Sequence, residues 1–360
     1  MSNSRSILFV VHFEGNKGGI ARVGRLMYES LQPYRVISLF GQTEDFEEKE
    51  ALGCQGSVLK FLAYMFYFGL FHGVRNWYFD HLGKASIILL LPAYLRRKLV
   101  VFLHDEEAWT KVRGRNLWVL RQANRLICNS QFTYDRFITR NFAFIEKTRV
   151  CLLAGVPPLF ETTSTDPVTT ASHADWLSGD QRFCLFVSRL WSKHRYKGYL
   201  ELVDAFALFK SQRPDTRLKL VIIGRGDDEP FLRNRIEELN LQDEVVHFND
   251  VDDPTLVQFY QACEALVFPS SREGFGFVFL EAMVVGKACI GLENQPAEEI
   301  IQHEKTGLLL PDNSPHTLTT VLFDIELAPE KYQQYGAAGK KRYQERFTNE
   351  HFRHRFLAAI

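Results

Sequence analysis

The sequence predicts an α/β protein built as two doubly wound, parallel-sheet, Rossmann-like domains. Its 360 residues exceed what one compact core takes and suit two domains of ordinary size. Hydrophobic residues make up 46% and charged residues 24%, the balance of a folded chain. Short β-branched or leucine-rich runs alternate with longer helical patterns along the whole chain, the order that builds parallel sheets from βαβ units.

In the first half the strand candidates are residues 7–11, 34–39, 77–79, 99–103, 125–128 and 149–152. A polar stretch over 161–181, rich in Thr, Ser, Asp and Gly, breaks the pattern and reads as a linker. The alternation restarts with 183–187, 218–223, 244–248, 265–267, 288–290 and 307–310. Ligands of such sheets sit at the carboxyl ends of the strands, so the loops that follow them are where chemistry is sought.

Lys and Arg balance Asp and Glu at 43 each. No overall field draws the chain to nucleic acid, and an anionic ligand has to be held by local positive charge. Cys54, Cys128, Cys151, Cys184, Cys263 and Cys289 are scattered, with neither a CxxC pair nor zinc spacing, and read as reduced core residues of a cytoplasmic protein. After MSNSRS the apolar run 7–11 stops at His12 and Glu14, too short for a secretory leader. The longest apolar stretch, 61–71 (FLAYMFYFGLF), is too short to span a bilayer.

Two loops suit phosphate. Gly15-Asn16-Lys17-Gly18-Gly19 follows the first strand and leads into a helical pattern, so its amides can approach an anion at a helix start. It is neither a P-loop nor a GxGxxG fingerprint, which sets aside the dinucleotide oxidoreductases. After strand 183–187 come Arg189, Lys193, His194, Arg195 and Lys197, five basic side chains just before a helix. The most specific segment is Phe268-Pro269-Ser270-Ser271-Arg272-Glu273-Gly274-Phe275-Gly276-Phe277-Val278-Phe279-Leu280-Glu281-Ala282-Met283. Two glutamates seven residues apart flank a Gly-Phe-Gly turn that opens a helix, a seat for a diphosphate and for sugar hydroxyls.

This E-x7-E element resembles the hallmark of family 4 of the nucleotide-sugar glycosyltransferases. Ser188-Arg189-Leu190 through Arg195-Tyr196-Lys197-Gly198 resembles the family's RL/RYKG phosphate element, and Val221-Ile222-Ile223-Gly224-Arg225-Gly226 its strand–GxG turn. Gly286-Lys287-Ala288-Cys289-Ile290, Gly18-Gly19, His104-Asp105 and the run 123–130 (ANRLICNS) match further landmarks. The resemblance implies a GT-B fold, two Rossmann-like domains facing each other across a cleft, with boundaries expected at 1–165 and 166–335 and a terminal helix over 336–360 packing back on the first domain.

It also implies roles. Arg189 and Lys197 bind the donor diphosphate and neutralise the leaving group. Glu281 holds the ribose hydroxyls, Glu273 with the amides near Gly276 and Phe277 holds the donor sugar, and Gly274, Phe275 and Val278 belong to the same donor-binding set. Asn249, Asp250 and Val251 lie beside the base, Gly18 and Gly19 approach the diphosphate, and His104 lies near the reacting sugar. The chain departs from the family pattern at Asp250 (usually Gly), Ala154 (usually Asn), His194 (often Glu) and Asn294-Gln295-Pro296 (usually glycines).

The implied activity is retaining transfer of a hexose-type sugar from a nucleotide-sugar donor to a glycan or lipid-linked acceptor, with no metal and no cofactor. Asp250-Val251-Asp252 is formally a DxD, but in a strand–loop where the family has none. The alternatives are an epimerase or phosphorylase on the same fold, and a non-catalytic sugar-nucleotide-binding subunit. That subunit is expected to lack Glu273, Lys197 or His104, and all are present. For 61–71, apolar on all faces, a buried helix is the favoured reading. Peripheral contact with the inner membrane surface is the other, since His72, Arg75 and Arg96-Arg97-Lys98 follow it.

Overall fold

The computed structural model describes residues 6–13, 18–41, 51–156, 158–161, 176–177, 179 and 181–360. The expected linker over 161–181 and the glycine-loop residues Gly15, Asn16 and Lys17 lie largely or wholly outside them. In chain order the elements begin β1 (Ser6–Val10), α1 (Gly19–Leu31), β2 (Arg35–Ser38), β3 (Ala51–Gly53), α2 (Val58–Phe71) and β4 (Asn76–Phe79). They continue with β5 (Lys98–Leu103), α3 (Asp105–Trp109), α4 (Gly114–Gln122), β6 (Arg125–Cys128), α5 (Gln131–Asn141) and β7 (Thr148–Val150). Then come β8 (Arg182–Val187), α6 (Tyr199–Gln212), β9 (Leu218–Ile223), α7 (Glu229–Glu238), β10 (Val245–Phe248), α8 (Asp253–Ala262) and β11 (Ala265–Val267). The chain ends with α9 (Phe277–Val284), β12 (Ala288–Leu292), β13 (Gly307–Leu310), α10 (Pro315–Leu327), α11 (Pro329–Arg346) and α12 (Asn349–Ala359).

These form two compact units, Met1–Gly155 with Asn349–Ile360, and Val156–Thr348. The first is a seven-stranded sheet in the order β3-β2-β1-β4-β5-β6-β7, the second a six-stranded sheet β10-β9-β8-β11-β12-β13. The pairings within both are parallel. In each sheet the strand order reverses direction next to the first strand, the switch point at which doubly wound sheets open a crevice. The change of unit falls at 155/156 rather than 165/166. Of the expected return over 336–360, only Asn349–Ile360 joins the first unit, because Gly336 and Gly339 on α11 pack against the 286–287 backbone and Met283.

Alternation along the central strands of the first sheet sorts its two faces. Ile7, Phe9, Trp77, Phe79, Leu99, Val101, Leu103, Leu126 and Cys128 point one way, into a core closed by α2, α4, α5 and the turns between β4 and β5. The other face meets α1 and α12, with Phe102 and Phe356 rings 6.3 Å apart. Strand β3 has no β-branched residue and was not expected. It pairs at the edge with β2 through Val36, Ile37 and Ser38. The strand expected at 149–152 is Thr148–Val150.

Helix α2 does not follow the buried reading. It buries Phe61, Met65, Phe68 and Gly69 but leaves Leu59 79% and Phe71 76% exposed, with Tyr67 and Leu70 about half exposed. One stripe suffices to seal the core, and the remaining apolar side chains face outward. All six cysteines are buried and unbridged. Among the described residues no helix is long and apolar enough to cross a membrane.

Candidate active site

In the second unit β8 delivers Arg189 at its carboxyl end. The loop is fixed by backbone bonds: Ser188 N–H to the Ile223 carbonyl, 3.0 Å, Leu190 N–H to that of Arg225, 3.0 Å, and Asp228 N–H to that of Leu190, 2.9 Å. A Cβ at Gly224 would overlap the Ser188 carbonyl, so the GxG turn after β9 is what lets the two loops close on each other. Arg189 itself remains exposed, its guanidinium 5.7 Å from the Trp191 ring centre.

Residues 192–197 form a 3-10 turn, and here the basic residues divide. Arg195 is committed to the protein. Its Nε and Nη2 donate to Asp228 at 2.7 and 2.6 Å, and its guanidinium lies 3.9 Å from the centre of Phe231. The Tyr199 hydroxyl donates to the same carboxylate. Asp228 is only 3% exposed, and the Arg195 hydrogen bonds hold its pKa below the usual carboxylate range. Partial burial, followed by the charges of Arg189, Lys197 and Lys193, lowers the His194 pKa, with Glu273 opposing. These cations thus share one neighbourhood around His194.

Strand β11 leads through 268–276 to α9. Gly276, at φ 97°, caps the helix in a left-handed conformation that turns Phe277 and Val278 into its first turn. A helix start carries partial positive charge. Lys197 Nζ donates to Glu273, with both side chains less than a fifth exposed. The fold thus brings Lys197 and Glu273 together across 76 positions of sequence. Ser271 N–H bonds the Tyr196 carbonyl at 2.9 Å, tying the two loops along their length. Gly274 and Phe275 are buried beneath the turn. Glu281, one turn into α9, is buried and accepts the Tyr260 hydroxyl at 2.8 Å.

Beyond β10, Asn249 and Asp250 are exposed and Val251 half-buried. Asn249 Nδ2 donates to Glu229 at 3.1 Å, and Glu229 also accepts Gly226 N–H at 2.7 Å. Asp252 caps α8, accepting Thr255 N–H at 2.8 Å, so one carboxylate of the formal DxD serves a helix end. Among the described residues no group of three His, Cys, Asp or Glu side chains could hold a metal ion.

In the first unit Gly18 is the N-cap of α1 at φ 111°, and Gly19 is the first residue of that helix. His104 follows β5 and is 5% exposed. Its Nε2 donates to the Asp80 carbonyl at 2.7 Å, which fixes the tautomer, and its ring stacks on Phe102 at 5.1 Å. Burial lowers its pKa to about 3. Three neighbours went unremarked in the sequence. Asp80 accepts Val11 N–H at 3.0 and 3.2 Å, and burial raises it to about 8. Glu107 accepts His104 N–H at 3.1 Å and is likewise raised to about 8 by burial. His81, 3.1 Å from Glu107 through Nδ1, is lowered to about 4, chiefly by desolvation and then by Lys84. The available signal was the pair Asp80-His81 after one strand, mirroring His104-Asp105 after the next.

Comparison with known proteins adds the following. Residues 169–342 match the family described as glycosyl transferases group 1. The D-inositol 3-phosphate glycosyltransferase of Jonesia denitrificans is 34% identical over 160 residues, 43% of this chain and 38% of that protein's length. Among solved structures, Anabaena HepE in complex with UDP and glucose has a TM-score of 0.76 at 22% identity, over 98% of both chains. Sucrose-phosphate synthase of Thermosynechococcus elongatus has 0.77 at 20%, again over 98% of both. At these identities the likeness establishes the fold, two parallel-sheet α/β domains of the GT-B type.

Proposed function

We propose that the chain, whose residues 169–342 match the group 1 glycosyltransferases, transfers a hexose-type sugar, with retention, from a nucleoside diphosphate sugar to a hydroxyl of a glycan or lipid-linked acceptor. The observation that carries this is the meeting of Lys197 and Glu273 between a cation-bearing loop and the start of α9. Glycosyl transfer from a diphosphate needs charge stabilisation on the leaving group more than it needs a strong base. Fixed cations and a helix start, aimed where charge develops, are commonly the largest catalytic contribution. Arg189 and Lys197 would take the diphosphate, Glu281 the ribose diol, and Glu273 a sugar hydroxyl. Lys197 is paired with Glu273, which sets one group for the phosphates beside one for the sugar.

Retention follows from attack on the face the diphosphate leaves, the departing phosphate accepting the acceptor's proton. His104, neutral and donating to Asp80, suits a hydrogen-bonding role towards the sugar rather than acid catalysis. The cations at Arg189 and Lys197 would supply the charge that a metal otherwise brings to a diphosphate, which supports transfer without a divalent ion. Unbridged, buried cysteines suit a reducing, cytoplasmic setting. Polysaccharide or glycolipid assembly would consume such a product.

The test is a thermal-shift screen of UDP-, GDP- and ADP-sugars, followed by transfer assays with chelator and by NMR of the product anomer. A bound donor raises the melting temperature by mass action. A stabilising donor, activity in chelator and a retained anomeric configuration are expected. Release of sugar phosphate would point to a phosphorylase, an inverted product would overturn retention, and loss of activity restored by Mg²⁺ or Mn²⁺ would overturn metal independence.

A further inference from the structure

The balanced overall charge hides a strong local asymmetry. Residues 51–150 hold fifteen of the 43 Lys and Arg but only six of the 43 Asp and Glu, a surplus of nine positive charges in the middle of a neutral chain. Of those six acids Asp80 is buried, Glu107 is half-buried, and Asp105 and Glu106 belong to the start of α3. Asp135 and Glu146 are the remaining acids of the segment.

The large exposed apolar side chains gather in the same place. Leu59, Phe71, Leu90, Tyr94, Trp118 and Phe142 are between 55% and 79% exposed. They lie on α2, on the turns between β4 and β5, on α4 and on the 3-10 turn after α5. These elements cover one and the same face of the first sheet, for their inward side chains (Phe61, Ile88, Leu95, Val119 and Phe144) share a single core. Gly69 of α2 packs against Leu91, so the helix and the turns adjoin. Basic side chains interleave with the apolar ones: Lys60, Arg97, Arg115, Arg121 and Arg140 are exposed on the same layer, and Arg121 lies 5.2 Å from the Trp118 ring centre.

We propose that this helical layer of the first unit is a docking face for an anionic lipid bilayer. Aromatic and aliphatic side chains sink into the headgroup boundary, and a layer rich in Lys and Arg is held by anionic lipid. Acid-poor positive charge complements a surface of one sign, whereas protein partners present mixed charges with a polar rim. No described helix can span a membrane, so the contact is interfacial, with the layer lying along the surface. Helix α2 begins just after the carboxyl end of β3, on the sheet edge where His104 sits, which places a lipid-linked acceptor within reach of that edge.

The experiment is co-sedimentation of the full chain with phosphatidylcholine vesicles, plain or containing about 30% phosphatidylglycerol, a leaflet charge that attracts basic segments. Binding to the anionic vesicles alone, weakened by high salt, is expected. Phe71→Ser with Trp118→Ser, and separately Arg97→Glu with Arg121→Glu, should each lower the partition about tenfold or more. Both variants should keep the parent's circular dichroism and melting temperature. Absence of binding to anionic vesicles would overturn the proposal without reference to any variant. So would undiminished binding by both folded variants, or a dimer of the native chain that the apolar substitutions dissolve, which would make the face an interface between copies. The readout is sedimentation, not transfer, so its failure would leave the donor reading untouched.

Discussion

Lys197 and Glu273 form an ion pair, and that pairing sets what their substitutions should do. A cation fixed in a water-poor site is worth more to a group gaining negative charge than to the ground-state donor. Lys197→Ala and Arg189→Ala should therefore lower kcat by about two to three orders of magnitude, as loss of a preorganised oxyanion donor does. Lys197→Arg should restore only part, a planar guanidinium replacing a point-charge ammonium. Steady-state kinetics in which KM changes while kcat stays near normal would reduce the pair to an anchor. Glu281→Ala should weaken nucleoside diphosphate binding by about 1–3 kcal/mol, measured by calorimetry, and Glu273→Ala should spare it while slowing turnover. A reversed result would exchange the two roles. The glutamates were legible as a motif because spacing is a property of sequence. The Lys197–Glu273 contact was not, since two loops in different βα units meet only when the sheet forms, and neither was the commitment of Arg195 to Asp228.

At the level of elements, the ends of β4 and β5 carry a pH response. Asp80 and Glu107 rise from 3.8 and 4.5 to about 8 on folding, so between those values the folded state binds more protons and stability falls as pH rises. His81 and His104 fall from 6.5 to about 4 and about 3, so over that lower range the unfolded state binds more and stability rises with pH. The two trends oppose each other up to about pH 6.5, above which only the carboxyl loss remains. The melting temperature of the first unit should therefore decline between pH 6.5 and 8, and Asp80→Asn with Glu107→Gln should flatten the decline. A temperature that holds or rises over that interval would refute it. The six strands of the second sheet were legible within two residues at either end, because near-continuous apolar runs mark strands buried on both faces. Strand β3 was not: Ala51, Leu52 and Gly53 have no β signature, and only pairing with β2 makes them a strand. Helix α2 was legible as a helix but not as a surface, since a sequence apolar on every side cannot say which side is covered.

For the molecule as a whole, two parallel sheets follow from the alternation of runs, while the change of unit at 155/156 does not. The polar stretch over 161–181 drew the expected boundary ten residues late, and the last helical pattern carried no sign of where it leaves the second unit. That departure has a consequence for how the protein is made. Because Asn349–Ile360 belongs to the first unit, the second is inserted into the first, and synthesis passes through the whole inserted unit before the outer one has all its parts. The first sheet emerges with one face open: Phe352 and Phe356, fully buried in the folded protein, arrive only after the second unit, and Arg355 then bonds the Leu152 carbonyl at 3.2 Å. Deleting residues 349–360 should thus melt the early-made unit while sparing the second, which keeps Arg189, Lys197 and Glu281, so nucleoside diphosphate should still bind, weakened only by the loss of the Gly18-Gly19 amides. Calorimetric titration of the truncated chain would show it, and loss of nucleotide binding would contradict it. A nascent chain stalled before residue 349 would by the same token be a folded donor-binding unit tethered to an unsealed sheet, a species for chaperones to hold until residues 349–360 come out.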